Sequence, residues 1–247
     1  MQELTAVVLA AGKGTRMRSD LAKVLHRLGG RPLVTYPLDA ARVAGATRIV
    51  VVTGYQEDAV RAAVREHAGE DADWLRFVTQ AEQRGTGHAV MCALPEVPRE
   101  GPVLVLSGDV PMLRAQTLHE LVVAASQNAS VLTFCPEDCT GYGRIVRNDA
   151  KHVARIVEER DANESERAIV ECNAGVYCFQ AEALHRELPR LGTANAQGEV
   201  YLTDLVEVLA REGKVPTIEV PPIEAVGVNT VEQLEDLERQ CGARHTS

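Results

Sequence analysis

The sequence predicts an α/β fold: a mostly parallel sheet with helices on both faces and a small β-hairpin added in the second half. Two observations lead there. Short β-branched, apolar runs recur along the chain, and stretches of helical period separate them. The runs are apolar throughout rather than alternating, as strands covered on both faces should be. Strand and helix in regular succession build a parallel sheet, because each helix is the crossover to the next strand.

Residues 5–9 (TAVVL), 48–53 (RIVVVT), 74–78 (WLRFV), 103–107 (VLVLS) and 130–135 (SVLTFC) read as strands. Residues 32–44, 57–66, 88–94 and 115–126 have helical period. Pro37 falls inside the first of these, so that helix either starts late, with Pro37 in its first turn, or is kinked. Beyond Pro136 the rhythm changes. Residues 143–147 and 152–158 flank Asn148-Asp149-Ala150 and read as a hairpin, and a polar connection, 161–167, leads to a longer strand at 171–179. Helices at 181–188 and 202–211 and strands near 217–220 and 225–228 follow. The last helix, about 230–239, has Thr230 suited to its N-cap and Glu232 and Glu235 in its early turns. No linker composition or repeat divides the chain, which reads as a single domain over 1–247.

Composition bounds the function classes. Of 247 residues, 26 are Lys or Arg and 35 are Asp or Glu, a net charge of −9. That balance argues against a nucleic-acid or anionic-membrane footprint. It leaves a phosphate-bearing substrate open, since a few local cations can override the net field. No apolar run approaches the roughly 18 residues of a membrane span. The start, Met1-Gln2-Glu3-Leu4-Thr5, is acidic and lacks a signal peptide's charged region. Six cysteines (Cys92, Cys135, Cys139, Cys172, Cys178, Cys241) form no C-x-x-C pair or zinc-finger spacing. Most of them read as small buried hydrophobes in a reducing compartment, with the cytoplasm as the default. The sequence carries no signature of oligomeric state.

The first strand ends in Leu9-Ala10-Ala11-Gly12-Lys13-Gly14-Thr15-Arg16-Met17. In a parallel α/β sheet, ligands sit beyond the carboxyl ends of the strands. Small side chains there let backbone N–H groups approach an anion, and cations supply counter-charge. A Rossmann fingerprint needs a third glycine where Met17 stands, and no Gly-Lys pair completes a P-loop. The missing glycine also counts against an NAD-linked oxidoreductase. Asp109 directly follows the strand at 103–107, which puts its carboxylate at the ligand edge, although a turn or cap before Pro111 fits it too.

Lys23 extends the first motif within Ala22-Lys23-Val24-Leu25, and Leu28-Gly29-Gly30-Arg31-Pro32 follows. Together these segments resemble the signature of the sugar nucleotidyltransferases. Gln80–Ala89 (QAEQRGTGHA), Gly108-Asp109-Val110-Pro111, Thr140–Ile145 (TGYGRI), Ile156-Val157-Glu158 and Cys172-Asn173-Ala174-Gly175 then fall in the expected order. So do Asn195–Glu199 (NAQGE), Tyr201-Leu202-Thr203-Asp204 and Gly227-Val228-Asn229. The series, over roughly residues 6–239, closely resembles the pyrophosphorylase domain of the bifunctional N-acetylglucosamine-1-phosphate uridyltransferases.

The resemblance implies a Rossmann-like nucleotide-diphospho-sugar transferase fold with a nucleotide-binding half (1–135), a sugar-binding half (136–229) and a C-terminal helix and tail (230–247). It implies UTP and a sugar 1-phosphate as substrates and Mg²⁺ as cofactor. Arg16 and Lys23 would act on phosphates as the catalytic cations, with Lys13 a further candidate. Asp109 and Asn229 would hold the metal. Gln80, Gly85 and Thr86, with the backbone of Ala10, Ala11, Gly12 and Gly14, would bind the nucleotide. Glu158, Asn173, the backbone of Gly143 and, assisting, Thr203 would meet the sugar. Read without the resemblance, Gly85-Thr86-Gly87 is a loop and helix start capped by Thr86, Asn229-Thr230 is ordinary capping sequence, and Glu158 belongs to a charge run.

The chemistry agrees with these residue types. A sugar 1-phosphate, with a second pKa near 6, is mostly a dianion at about pH 7 and attacks phosphorus without a general base. The protein must hold two repelling phosphates in line and neutralise charge, which calls for cations and a hard-metal site. Ser107, Ala174 and Val200 depart from the bifunctional enzymes' pattern beside the expected sugar pocket. The hexapeptide-repeat β-helix of those enzymes does not follow the last helix, so no acetyl-CoA-dependent activity is expected. A related transferase for another sugar or nucleotide, or a non-catalytic nucleotide-sugar sensor, would share much of the pattern. The sensor is disfavoured by the presence of Arg16, Lys23, Asp109 and Asn229 together.

Overall fold

Each apolar run of the first half forms a strand. The computed structural model describes residues 3–69, 72–126 and 128–244, with side chains as far as residue 240. The chain opens with β1 (Leu4–Ala10), then passes through two 3₁₀ turns, Thr15–Met17 and Lys23–Leu25. A small hairpin follows, β2 (Arg27–Leu28) and β3 (Arg31–Pro32). Gly29 and Gly30 both take positive φ between its strands, the pair of conformations a two-residue hairpin turn of this kind requires. Helix α1 (Thr35–Val43) begins late enough that Pro37 sits in its first turn, where its missing N–H is harmless. The alternation continues with β4 (Ala46–Thr53), α2 (Glu57–Ala68), β5 (Leu75–Thr79), α3 (Thr86–Ala93), β6 (Pro102–Ser107), α4 (Ala115–Ala124) and β7 (Ala129–Phe134).

The predicted hairpin is β8 (Arg144–Arg147) and β9 (Val153–Val157). The polar connection after it is not all loop, because it contains one helical turn, α5 (Glu164–Arg167). Its signal is legible: the side chains of Asn163 and Glu166 cap each other's backbone N–H groups in a capping box. Then come β10 (Cys172–Gln180), α6 (Ala181–Glu187), α7 (Leu202–Glu212) and β11 (Thr217–Glu219). No strand forms at 225–228. Pro221 and Pro222 start a helical turn instead, α8 (Pro222–Ala225), and two residues without N–H groups suit a helix start better than a ladder. The following loop is tied to the end of β6 by a backbone bond from Val228 N–H to Asp109 O at 2.9 Å. Helix α9 (Val231–Arg244) closes the chain.

The main sheet has the order β11-β7-β10-β6-β1-β4-β5, with β9 paired to β8 and β8 to β10. All strands of the main path run one way except β10, which is antiparallel to both β6 and β7. Successive strand residues face opposite sides of the sheet, so two cores form. Val8 and Val51 pack with Leu38 of α1, Val60 of α2 and Leu118 of α4. Val7 and Val50 pack with Val90 of α3, Leu184 of α6 and Leu205 of α7. A third, small cluster of Met17, Leu28, Leu33, Val228 and Leu237 fastens α9 to the loop after β1.

Among the described residues, no helix is long and apolar enough to cross a membrane. Cys92, Cys135, Cys139, Cys172 and Cys178 are free thiols. Of these described cysteines Cys172 and Cys178 alone are buried as expected, both on the central strand β10. Cys92 and Cys139 are half-buried, and Cys135, just past the end of β7, is exposed. The side chain of Cys241 lies outside the described residues.

Candidate active site

Two adjoining cavities open at the carboxyl ends of β1, β5 and β6. The larger, about 300 Å³, is lined by Arg16, Lys23, Asp109, Glu158, Asn173 and Asn229, among others. The smaller, about 210 Å³, is lined by Ala11, Gly12, Gln80, Gln83, Gly85 and Glu199, among others. Leu9 and Thr86 belong to both, so the two adjoin as parts of one cleft.

Lys23 is the hub of the larger cavity. Its Nζ donates to Asp109 Oδ2 and, at 3.0 Å, to Asn229 Oδ1. Arg16 donates to the same Asn229 oxygen at 2.8 Å. Asn229 Nδ2 donates to Gly227 O at 3.1 Å, and since a carbonyl only accepts, this bond turns Oδ1 toward the cations. Asn229 lies in the loop between α8 and α9, not at a strand end. Gln233 Oε1 accepts from the N–H groups of Asn229 and Thr230, and Thr230 Oγ1 accepts from Gln233 N–H, so Thr230 caps α9 as expected. Gly14, at φ 69°, lines neither cavity. A Cβ there would stand 2.4 Å from Lys23 Cβ, so this glycine makes room for the lysine's stem. Ala10, at the end of β1, is buried and also lines neither cavity.

The donor set fits a hard divalent cation. A carboxylate oxygen and a carboxamide oxygen already converge on one cationic group, the ammonium of Lys23. Mg²⁺ takes one or two protein oxygens and completes its shell with water and phosphate. Gly227 adds no side chain to this space, where a Cβ would stand 3.1 Å from Asp109 Oδ2.

The opposite wall comes from the second half of the chain. Pairing of β10 shifts register between Asn173 and Tyr177, with Gly175 at φ 69°, and this bulge sets Asn173 beside the cavity. Asn173 Nδ2 donates to the buried Tyr177 hydroxyl at 2.7 Å, and its Oδ1 accepts from Gly175 N–H at 3.1 Å. Glu158 Oε1 accepts from Thr203 Oγ1 at 3.1 Å, so Thr203 reaches the cavity only through Glu158. Burial pushes the Glu158 carboxyl above the usual carboxylate range, the Thr203 bond opposes that, and nearby Asp204 and Asp161 reinforce it. A Cβ at Gly143 would crowd Ile156 Cγ2 at 3.1 Å and stand in ordinary contact with Glu158 Oε2 at 3.5 Å. Buried Arg144 pairs with Glu159 at 2.8 Å and donates to the Tyr142 carbonyl, holding the 141–143 turn on the hairpin.

In the smaller cavity Gln80 is 4% exposed, and its Nε2 donates to Gly85 O at 3.0 Å. Gly85, at φ 100°, is the N-cap residue of α3, and a Cβ there would stand 2.5 Å from Val200 O. Thr86 does not cap α3. Its Oγ1 accepts from Leu202 N–H at 3.1 Å and ties α3 to the start of α7. Val200 packs on Gly85 and Gly87, on the smaller cavity's side, whereas Ser107 and Ala174 line the larger one. Sequence reasoning did not single out Gln83, Glu199, Tyr142 or Tyr177 as lining residues. Gln83 Nε2 donates to Ala11 O at 2.7 Å, a contact across 72 positions that no local pattern announces.

Comparison with known proteins finds relatives in sequence and in fold. The chain is 53% identical over 231 residues to the bifunctional protein GlmU of Anaeromyxobacter dehalogenans (strain 2CP-1), covering 92% of this chain and 47% of that protein. It is 44% identical over 250 residues to the bifunctional protein GlmU of Geobacter sulfurreducens, covering 99% of this chain and 52% of that one. The chain thus spans about half the length of these curated relatives. The crystal structure of a UDP-glucose pyrophosphorylase complexed with UDP-glucose superposes with a TM-score of 0.79 over 98% of this chain and 100% of that one, at 18% identity, and so shares the fold. The family model described as the MobA-like NTP transferase domain matches residues 6–210, and the chain belongs to that family.

Proposed function

We propose that the chain transfers a uridylyl group from UTP to N-acetylglucosamine 1-phosphate, giving UDP-N-acetylglucosamine and pyrophosphate. One observation carries the reading: Arg16, Lys23, Asp109 and Asn229 converge in one cavity that shares its rim with a second cavity around Gln80 and Gly85. A nucleoside triphosphate needs such a pair, a base pocket beside a cationic trough. In this reading 1–135 is the nucleotide half, 136–229 the sugar half and 230–247 the C-terminal helix and tail.

Arg16 and Lys23 hold the phosphates and hold the two negative reactants against their repulsion. An oxygen of the sugar phosphate forms a bond to the α-phosphorus, the bond from that phosphorus to the bridging oxygen breaks, and its electron pair leaves on pyrophosphate. None of the residues lining either cavity is a His or Cys, in keeping with an attack that needs no base. Asp109 and Asn229 would hold Mg²⁺, which when bound neutralises charge on the triphosphate. Glu158 and Asn173 accept and donate to sugar hydroxyls and the acetamido group, with Gly143 supplying backbone. Gln80 and the Gly85-Thr86 turn read the pyrimidine edge, and Ala11 and Gly12 form the backbone against which the nucleotide lies, with Ala10 and Gly14 shaping the loop behind them. The free thiols support a reducing, cytoplasmic setting.

The test is pyrophosphate release from four nucleoside triphosphates against several sugar 1-phosphates, with and without excess chelator. UTP with N-acetylglucosamine 1-phosphate and a divalent metal should be the preferred combination. Full activity in chelator, or a stronger preference for another pair, overturns the assignment.

A further inference from the structure

Gln80 carries an amide whose nitrogen has two partners. Nε2 lies 3.0 Å from Gly85 O and 3.1 Å from His88 Nδ1. A backbone carbonyl can only accept, so the amide nitrogen, and not its oxygen, faces Gly85. That same nitrogen must give its second hydrogen to His88, whose Nδ1 is therefore unprotonated. The imidazole proton then sits on Nε2, 3.9 Å from Cys92 Sγ. Both N–H groups of Gln80 are consumed inside the protein, and the amide has only its carbonyl to offer a ligand in the smaller cavity that it lines.

The two pyrimidines differ at this point. Uracil presents an N–H at N3 and cytosine presents a bare acceptor there. We infer that His88 is a specificity-determining positioning residue, which holds the Gln80 amide with its carbonyl toward the base and so favours uracil over cytosine. The inference rests on the pyrimidine reading proposed above. With His88 in place, turning the amide over to offer its N–H groups to cytosine N3 loses two hydrogen bonds, and without an acceptor at position 88 it loses only the one to Gly85. His88 is half-buried in the first turn of α3 and lines neither cavity, so it acts through Gln80.

Two variants separate the acceptor from the ring. His88→Phe keeps the ring's bulk and loses the acceptor, while His88→Asn keeps an acceptor near the Nδ1 position and loses the ring. Steady-state pyrophosphate release with UTP and with CTP, and melting temperatures, are measured on both and on the wild type. His88→Phe should lower the UTP:CTP ratio of kcat/KM about three- to tenfold, as expected for one hydrogen bond, and His88→Asn should keep it within about twofold. The loss on UTP should fall in KM rather than kcat. Should His88→Phe not fold, His88→Leu is measured in its place. A folded acceptor-less variant with the wild-type ratio, or an asparagine variant that loses it while phenylalanine keeps it, overturns the inference alone. A wild type that uses UTP and CTP equally overturns the pyrimidine reading, and this inference falls with it.

Discussion

Arg16 and Asn229, 213 positions apart, are joined by a 2.8 Å hydrogen bond. The residues beside them in sequence, Met17 and Val228, are buried in the same small cluster as Leu237 of α9. That packing brings the ends of the chain together at the cleft.

Loosening the cluster should therefore reach the chemistry. Leu237→Ala removes a buried side chain that lines neither cavity, and such truncations cost about 2–5 kcal/mol in cores, with a peripheral cluster at the lower end. The melting temperature should fall, and kcat/KM measured well below the transition should fall with it. An unchanged kcat/KM would mean that the cluster does not position Asn229.

Asp109 and Asn229 should behave as a unit. If both hold one metal ion, either alanine substitution should lower kcat/KM severely, on the scale of about 10²–10³-fold seen for a single preorganised electrostatic contact. The double variant should be little worse than either single one. Separate structural roles would instead give rate losses that add and follow additive losses of stability. A double-mutant cycle with melting temperatures on the same four proteins decides between these outcomes.

Two glycines of the first loop should respond differently to alanine. Gly14→Ala meets both a left-handed backbone, about 1–2 kcal/mol for an L-residue, and the stem of Lys23. It should lose stability and kcat/KM together. Gly12 has open space where its Cβ would stand and lines the smaller cavity, so Gly12→Ala should keep its melting temperature while KM for UTP rises. Thermal shift and steady-state kinetics on the pair test this contrast.

Glu158 gives a pH signature with a definite sign. Its folded pKa is raised, so between the ordinary and raised values the native state binds more protons than the unfolded chain. Stability from this group therefore falls as pH rises through that window, and above it the ionised carboxylate is a standing cost. Glu158→Gln removes that cost and should melt higher relative to wild type at neutral pH than at a pH below the window. The same substitution should raise KM for the sugar 1-phosphate and leave KM for UTP nearly unchanged. A stability difference independent of pH would contradict the burial argument.

Much of this was legible in the sequence because strands and phosphate loops are local. The run at 5–9, the glycines after it and Asp109 behind β6 announce themselves by composition and position. Lys23 and Asn229 do not, since their meeting at 3.0 Å spans 206 positions. The strand expected at 225–228 was misread because Ala225, Val226 and Val228 are apolar, while the controlling residues were the prolines before them. Gly14 reads as a phosphate-loop glycine, yet its tightest constraint is the stem of a lysine nine places on. That relation becomes visible only when the loop is folded.

The reversal of β10 gives the cleft a direction. Parallel strands deliver their carboxyl ends and the loops beyond them to one edge, which here gather Arg16, Lys23 and the start of α3. A strand running the other way delivers its beginning to that same edge, and with it an amide at Asn173 beside the carboxylate of Glu158. One wall of the larger cavity thus carries the cations Arg16 and Lys23, bonded to Asp109 and Asn229, and the facing wall carries the amide of Asn173 and the carboxylate of Glu158. In the proposed reaction the anionic end of the substrate belongs against the first wall and its hydroxylated end against the second.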